Sequence, residues 1–494
     1  MPPGSKAAKS EMAAAAGGTD RLSALPDDVL RRVLSFLPSR DAVETCVLAR
    51  RWRDVWKSVR ALRISGSHCH TYESANDLNK FVNSLLLFRD DKSRADVVDI
   101  DTYDGDASDD DADSCEAFRY LELWIRYGLS SEARVLCVRN NTGDVDRWCL
   151  PLQFVTSTHL KVLELYNVHL KVSDLDFSRC PALEDLRMEE CDVDEASTIL
   201  SHSVKRLSMK SCYFAYDIRP EISVPNLVFM ELADYCGCTP QLQSMPMLVS
   251  AFIRLSGDPE CYDDTEDCAC VLLGGVSNAT NLELTAAVQQ VPIFRKDLTW
   301  CPVFSKLKTL LLSDWCVTYD LRALICFLQH SPILEKLTLQ LSKTLGYLVD
   351  EGMKYEMQDP FHMEHLTVEV KCHNADDECI SKLLDDLDFF GVPRNQIKIQ
   401  RPPKLIKSKC LVGDSRPAAT ASFSFEQEET SYAVDAAASD STRAASSDST
   451  RAASSDSTDA ASSDGTDAAS SDSTHAASSD STDAASSDGT DAAS

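Results

Sequence analysis

The sequence predicts an α/β chain: a short N-terminal helical module, then a repeat solenoid, then a disordered C-terminal tail. Three observations predict it. Residues 21–59 carry apolar side chains at helical spacing. The pattern L-x-x-L-x-L, with substitutions, then returns again and again, at steps of 21 to 31 residues between Leu136 and Leu366. From Asp440 the chain repeats every eight residues in Ala, Ser, Asp and Thr.

The helical module comes first. Pro26 suits the first turn of a helix, where a missing backbone donor costs little. Asp27 and Asp28 follow at the positive end of the helix dipole. Leu30, Val33, Leu34 and Leu37 then fall at i, i+3, i+4 and i+7, as one apolar stripe. Pro38 stops that helix. Asp41 with Glu44 has the spacing of a capping box and starts a second helix, along which Leu48, Trp52, Val55 and Trp56 recur. About forty residues without disulfides or metal rarely close a core of their own. The surplus of Leu, Val and Trp therefore implies a partner or a neighbouring domain.

The run LPDDVLRRVLSFLPSRDAVETCVLARRWRDVWKSV, from Leu25, resembles the F-box of the large plant F-box/leucine-rich-repeat family. The match includes the Leu25-Pro26 opening, SFLP at Ser35 to Pro38, the DAV connector and the LARRWRDVW block; Ala49 stands where the family usually has Ser. The resemblance implies a domain at 20–60 that binds a Skp-type adaptor and, through it, a cullin-RING ubiquitin ligase. By the same resemblance Leu25, Pro26, Leu30, Val33, Leu34, Leu37, Val47 and Trp52 fall on positions that contact the adaptor or support the contact. The function implied is substrate recognition for an SCF-type (Skp-cullin-F-box) ligase, with a protein substrate the sequence does not identify. A binding scaffold without ubiquitin transfer is the alternative. A small-molecule receptor, a third reading, needs a basic cluster that the acidic repeats argue against.

The repeats occupy 61–360. Each unit, such as Leu160-x-x-Leu163-x-Leu165 or Leu334-x-x-Leu337-x-Leu339, makes a short strand with alternate side chains inward, and a returning helix or turn covers the other side. No unit buries its apolar face alone, so neighbours stack. Cys180-Pro181, Val224-Pro225 and Ser331-Pro332 precede strands as turn-setting pairs. Residues 66–96 and 256–278 interrupt the spacing. Between the inward positions, Glu164, Arg187, Ser208, Glu231 and Glu283 point outward and are the candidates to meet a substrate, which an acidic face would select for Lys or Arg.

From 361 to 405 a strand is followed by a helical pattern at Ile380, Leu383, Leu384 and Leu387, and by a final strand in VPRNQIKIQ. This region resembles the FBD-like C-terminal part of the same family and caps the repeats. Residues 1–19 read as a disordered leader without an apolar secretory core, and 412–494 as a tail with too few apolar residues to offset ordering entropy.

Composition excludes other classes. The net charge is −29, with DGDASDDDAD at Asp104 to Asp113 and eleven Asp against two Arg in 439–494, which disfavours nucleic acid. The basic stretch Arg394 to Lys409 is the exception and suits a solvated strand and linker. No apolar run is long enough for a membrane span. Nineteen scattered cysteines, several at apolar-type positions such as Cys46, Cys137, Cys191 and Cys212, fit reduced thiols in the nucleus or cytoplasm. Cys236-Gly-Cys238, Cys268-Ala-Cys270 and His68-Cys69-His70 lack zinc-ligand spacing, so no metal and no cofactor are expected. No nucleotide-binding, hydrolase or metalloprotease motif occurs, so the chain reads as a non-catalytic subunit.

Overall fold

The computed structural model describes residues 25–66, 72–90, 94–102, 120–141, 149–150, 155–255, 272–286, 298, 301–317, 321–341, 365–372 and 377–401. The leader, the acidic run at 104–113, the His68 and Cys268 motifs and the tail lie outside the described residues.

Two short helices open the described chain, α1 (Asp27–Leu34) and α2 (Ser39–Glu44), followed by tight 3-10 turns at Thr45–Val47 and Arg50–Ser58. Leu30 and Leu34 of α1 meet Ala42, Trp52, Val55 and Val59 in a small core of their own, which reaches Ala61 and Val97 of the sheet beyond. Pro26 caps α1 from outside, and its carbonyl accepts from the backbone N–H groups of Val29 and Leu30, each at 3.1 Å.

The expected capping box does not form. The carbonyl of Pro38 accepts from Ala42 N–H at 3.0 Å, so α2 starts at Ser39 and Asp41 is already inside it. Glu44 ends the helix paired with Arg40. Nor is there one second helix: Ala49 is fully extended, which breaks the chain between Leu48 and Trp52. Trp52 and Val55 are buried, while Leu48 is exposed.

Beyond the helices lies a sheet of thirteen strands, all parallel and in chain order. They are β1 (Ala61–Ser65), β2 (Val97–Asp101), β3 (Val135–Arg139), β4 (Val162–Tyr166), β5 (Asp185–Glu189), β6 (Arg206–Lys210), β7 (Phe229–Ala233), β8 (Ser250–Leu255), β9 (Asn281–Ala286), β10 (Thr309–Ser313), β11 (Lys336–Leu341), β12 (Thr367–Cys372) and β13 (Ile397–Gln400). The register aligns the motif: Leu136, Leu163, Leu186, Leu207, Met230, Ala251, Leu282, Leu310 and Leu337 stand side by side, all buried. Alternation puts these residues on the inner face and their sequence neighbours on the outer one.

Two strands depart from the motif reading. β2 carries Ala95-x-x-Val98-x-Ile100, a unit hidden because valine and alanine fill leucine positions; all three are buried. At β12 the partner of Leu337 is Val368, not Leu366. Leu366 is buried just ahead of the strand, so the unit is shifted by two residues, which keeps the same face inward.

What covers the inner face follows the spacing. Where strands are 21 to 23 residues apart, the return path is too short for a helix, and short strands at Asp174–Asp176, Thr198–Leu200, Glu221–Ser223 and Gln241–Leu242 form a second parallel sheet. Longer intervals hold helices: α3 (Ala75–Phe88), capped by Ser74; α4 (Leu121–Ser130); α5 (Arg322–His330); and α6 (Asp377–Phe389). Gly128 of α4 lies so close to Val98 that a Cβ there meets the valine methyls at 2.9 and 3.1 Å.

Turns repeat as the strands do. The N–H groups of Leu183, Leu227, Leu248, Ala279, Leu307 and Leu334 each donate to the carbonyl three residues earlier, which sets the entry to the next strand; Cys180, Val224 and Ser331 are among the acceptors. At the far ends of β4 to β7, Asn167, Glu190, Ser211 and Asp234 all take positive φ of 50 to 56°. Each donates its N–H to a carbonyl at the end of the next strand, the last one for Asn167, Glu190 and Ser211 and that of Arg254 for Asp234, at 2.8 or 2.9 Å. A left-handed L-residue costs about 1–2 kcal/mol, and the inter-unit bond offsets that cost.

Candidate functional site

Helix α1 presents two apolar stripes. Leu30, Leu34 and Leu37 lie at i, i+4 and i+7; Leu30 and Leu34 are wholly buried and Leu37 half-buried against the small core. Val29, Val33 and Phe36 form a parallel stripe one residue back and stay exposed, Val33 at 45% and Phe36 at 69%. The 3-10 turn after α2 adds Val47 at 82% and Leu48 at 67%. So the eight residues named from sequence separate by environment. Leu30, Leu34 and Trp52 are interior; Pro26, Val33 and Val47 are exposed; Leu25 and Leu37 lie between. Val29, Phe36 and Leu48 went unnamed. The signal for Val29 and Phe36 was the second i, i+4, i+7 stripe, which the i+3 spacing of Val33 merged with the first; Leu48 falls on the inward stripe of the second helix that the sequence predicts.

Polar contacts hold this module to the sheet. Arg63 of β1 donates its N–H to Ser39 Oγ at 2.9 Å and its Nε–H to the carbonyl of Ser35 at 3.0 Å. Arg51 pairs with Asp27 at 2.6 Å, and Arg89 donates to the buried carbonyl of Val59.

The outer face of the sheet carries the other candidates. Over β1 to β5 its charges form a ladder: Arg63 to Asp99 at 2.9 Å, Asp99 to Arg139, Arg139 to Glu164 at 3.9 Å, Glu164 to Arg187 at 2.7 Å and Arg187 to Asp185 at 2.7 Å. Burial, and then the adjacent Glu164, push the Cys137 thiol up, and it donates to that carboxylate at 3.0 Å. Ser208 donates to Glu231 at 2.7 Å, and Lys210 pairs with the same carboxylate at 3.0 Å.

Past Glu231 the face changes. A groove of about 580 Å³ opens over β7 to β12, lined by Phe229, Phe252, Leu311, Glu283, Lys336 and Lys371, among others. Lys336 is held by Glu369 at 2.8 Å. Glu283 is half-buried and makes no hydrogen bond or ion pair among the described residues. Burial raises its carboxyl above the usual carboxylate range, against the pull of Lys371 and Arg254. Of the five outward residues named from sequence, Glu231 and Glu283 line the groove; Glu231 is engaged by Ser208 and Lys210, and Glu283 makes no polar bond among the described residues.

Two groups of metal-type ligands occur among the described residues: half-buried His169 and Asp192 with exposed Asp194, and half-buried Cys301 with Cys326 and His330. The Cys236–Cys238 pair is not one of them; Cys238 is buried and donates to the carbonyl of Tyr216.

Residues 22–63, the helical module with β1, match the F-box domain. An F-box/FBD/LRR-repeat protein of Arabidopsis thaliana is 29% identical over 65% of this chain and 77% of its own length. A meiotic F-box protein of Oryza sativa is 29% identical over 66% of this chain and 72% of its own. An FBD-associated F-box protein of Arabidopsis thaliana is 27% identical over 70% and 79%. The chain carries an F-box domain and is similar to plant F-box/FBD/LRR-repeat proteins. F-box domains typically bind Skp-type adaptors, and the exposed Val29, Val33, Phe36, Val47 and Leu48 lie within the matched F-box segment. No solved structure matches the chain.

Proposed function

We propose that this F-box protein is the substrate-recognition subunit of an SCF-type ubiquitin ligase. Its F-box at 20–60 docks a Skp-type adaptor and thereby a cullin-RING ligase. Its leucine-rich-repeat solenoid at 61–360, closed by the FBD-like cap at 361–405, holds a protein substrate. The role is non-catalytic: the chain presents a substrate to an enzyme carried elsewhere in the complex. It acts in the nucleus or cytoplasm, where thiols stay reduced. No helix among the described residues is long and apolar enough to cross a membrane.

One observation carries this reading. The F-box buries Leu30, Leu34, Trp52 and Val55 in a small core completed by Ala61 and Val97 of the sheet, yet leaves Val33, Phe36, Val47 and Leu48 in water. Apolar surface left over once a core is complete marks a partner site. On this reading Pro26, Val33 and Val47, with Leu25 and Leu37 at the border, make the contact. Leu30, Leu34 and Trp52 hold it in shape.

The decisive pair of variants is Val33→Glu and Leu34→Ala. The first places a charge on an exposed position, where the fold tolerates it. Burying that charge at an interface should lower adaptor binding at least about tenfold with melting unchanged. The second should cost about 2–5 kcal/mol of stability. Adaptor pull-down by Val33→Glu equal to that of the unmodified chain would remove this stripe from the contact. A complex that retains adaptor and cullin, with no protein stabilised when the F-box is deleted, would favour a scaffold without ubiquitin transfer.

A further inference from the structure

Cys326 and His330 stand one turn apart on α5, at i and i+4, so they project from one side of the helix. Cys301 reaches the same place from the segment leading into β10. One ligand atom from each residue lies within 4.8 Å of the other two. All three are half-buried, screened from bulk water yet within reach of an ion.

The spacing is that of a coordination site. Zn²⁺ sits about 2.3 Å from a thiolate and about 2.0–2.1 Å from an imidazole nitrogen, and a tetrahedral angle then holds sulfur and nitrogen about 3.6 Å apart. Cys326 Sγ is 3.7 Å from His330 Nδ1. The ligands are already near one edge of that tetrahedron.

The surroundings of the thiols separate this place from the buried cysteines among the described residues. Burial pushes the thiols of Cys191, Cys212 and Cys316 up, and the first two donate to backbone carbonyls as packing residues do. Cys326 is placed differently. Its sulfur lies beside Cys301 and 3.7 Å from His330 Nδ1 rather than among backbone carbonyls alone. Thiolate is the form that binds metal, so an incoming ion displaces a thiol proton.

We propose that Cys301, Cys326 and His330 bind a zinc ion, with the fourth position open to solvent. Two thiolates and an imidazole suit zinc over magnesium or calcium, which prefer oxygen. The ion displaces the thiol protons of Cys301 and Cys326. His330 Nδ1 also lies 2.8 Å from the carbonyl of Cys326. Coordination through Nδ1 breaks that hydrogen bond and moves the ring proton to Nε2. The bound ion clips the last turn of α5 to the chain entering β10. The site is independent of the ubiquitin-ligase reading.

The test uses the full chain, reduced, stripped with chelator and titrated with Co²⁺ in the absence of air. One equivalent should give a thiolate-to-cobalt charge-transfer band and the visible absorption of tetrahedral cobalt. Cys301→Ser with Cys326→Ser should abolish both, and Cys149→Ser should leave both. His330→Ala should weaken binding at least about tenfold, since loss of a mere outer partner of a ligand already costs about 10–100-fold. A second readout needs no variant. Zn²⁺ should slow alkylation of Cys301 and Cys326 in the unmodified chain, followed by peptide mass. Absence of the charge-transfer band, its survival in the double variant, or equal alkylation with and without Zn²⁺ would each overturn the site.

Discussion

The outer face over β1 to β5 and the outer face over β7 to β12 use equivalent strand positions and reach opposite electrostatic states. In the first, each charged group finds its counter-charge on the adjacent strand, and Asp99 serves both Arg63 and Arg139. In the second, phenylalanine and leucine take several of those positions, and Glu283 makes no hydrogen bond or ion pair among the described residues in a groove of about 580 Å³. The contrast shows that acidity alone does not mark a binding face. A ladder of paired charges is a finished surface; a desolvated carboxylate beside aromatic rings is an unfinished one. A basic substrate segment drawn to this chain should therefore seek Glu283 rather than Glu231, which Ser208 and Lys210 already hold.

The largest expected effect tests the division between faces on which the comparison rests. Leu310 is buried and its neighbour Leu311 lines the groove. Leu310→Ala should cost about 2–5 kcal/mol in denaturant unfolding, as for other buried leucines. Leu311→Ala should cost less than about 1 kcal/mol. Equal losses would mean that the groove is not open.

A smaller effect separates the two halves. Asp99→Ala leaves two arginines without their shared carboxylate and should cost about 1–2 kcal/mol, between the values for exposed ion pairs and for hydrogen bonds to charged groups. Glu283→Gln should cost nothing and should raise the melting temperature slightly at neutral pH. If Glu283→Gln destabilises as much as Asp99→Ala, the groove carboxylate is engaged after all.

The smallest effect is in the pH dependence, and the two carboxylates differ in sign. The Glu283 carboxyl is raised, so the folded chain holds its proton longer than the unfolded chain does. Its contribution therefore falls as pH rises from the ordinary carboxylate range through the folded value. The Glu369 carboxyl is lowered, chiefly by its hydrogen bond with Lys336. Its contribution is present above the ordinary range and is lost as pH falls through the folded value. The melting curve of Glu283→Gln should therefore part from that of the unmodified chain as pH rises above the ordinary carboxylate value of about 4.3, and the deficit of Glu369→Gln should shrink as pH falls below it; the same window for both would contradict the assignment.

Strand positions were legible because leucine at alternate sites has one physical meaning in a half-buried strand. β2 escaped because Ala95, Val98 and Ile100 dilute the leucine signal, and β12 was displaced because Leu366 and Val368 are both buried and both fit the motif. The F-box stood out in the sequence as a motif but not as a surface. Periodicity could not tell Val33 from Leu34, since a helix offers a stripe to whatever lies beside it and only the fold decides which stripe faces the core. The groove was not legible at all. Glu164, Glu231 and Glu283 occupy equivalent positions, and what separates them is whether the adjacent strand supplies a cation. Cys301 with Cys326 and His330 was missed for a related reason: the first lies far in sequence from the other two.

The bonds made by Asn167, Glu190, Ser211 and Asp234 carry a consequence for how such a chain can change its length. Each strand pairs only with its chain neighbours, and each left-handed residue finds the same acceptor at the end of the next strand. Removal of 186–206 brings Leu207 to the place of Leu186 and offers the N–H of Asn167 the carbonyl of Lys210 in place of that of Glu189. Loss of half that length has no such solution, because it brings return-path residues to the strand position. Whole units are thus the natural currency of insertion and deletion here, and the number of repeats can drift without any single contact having to be reinvented.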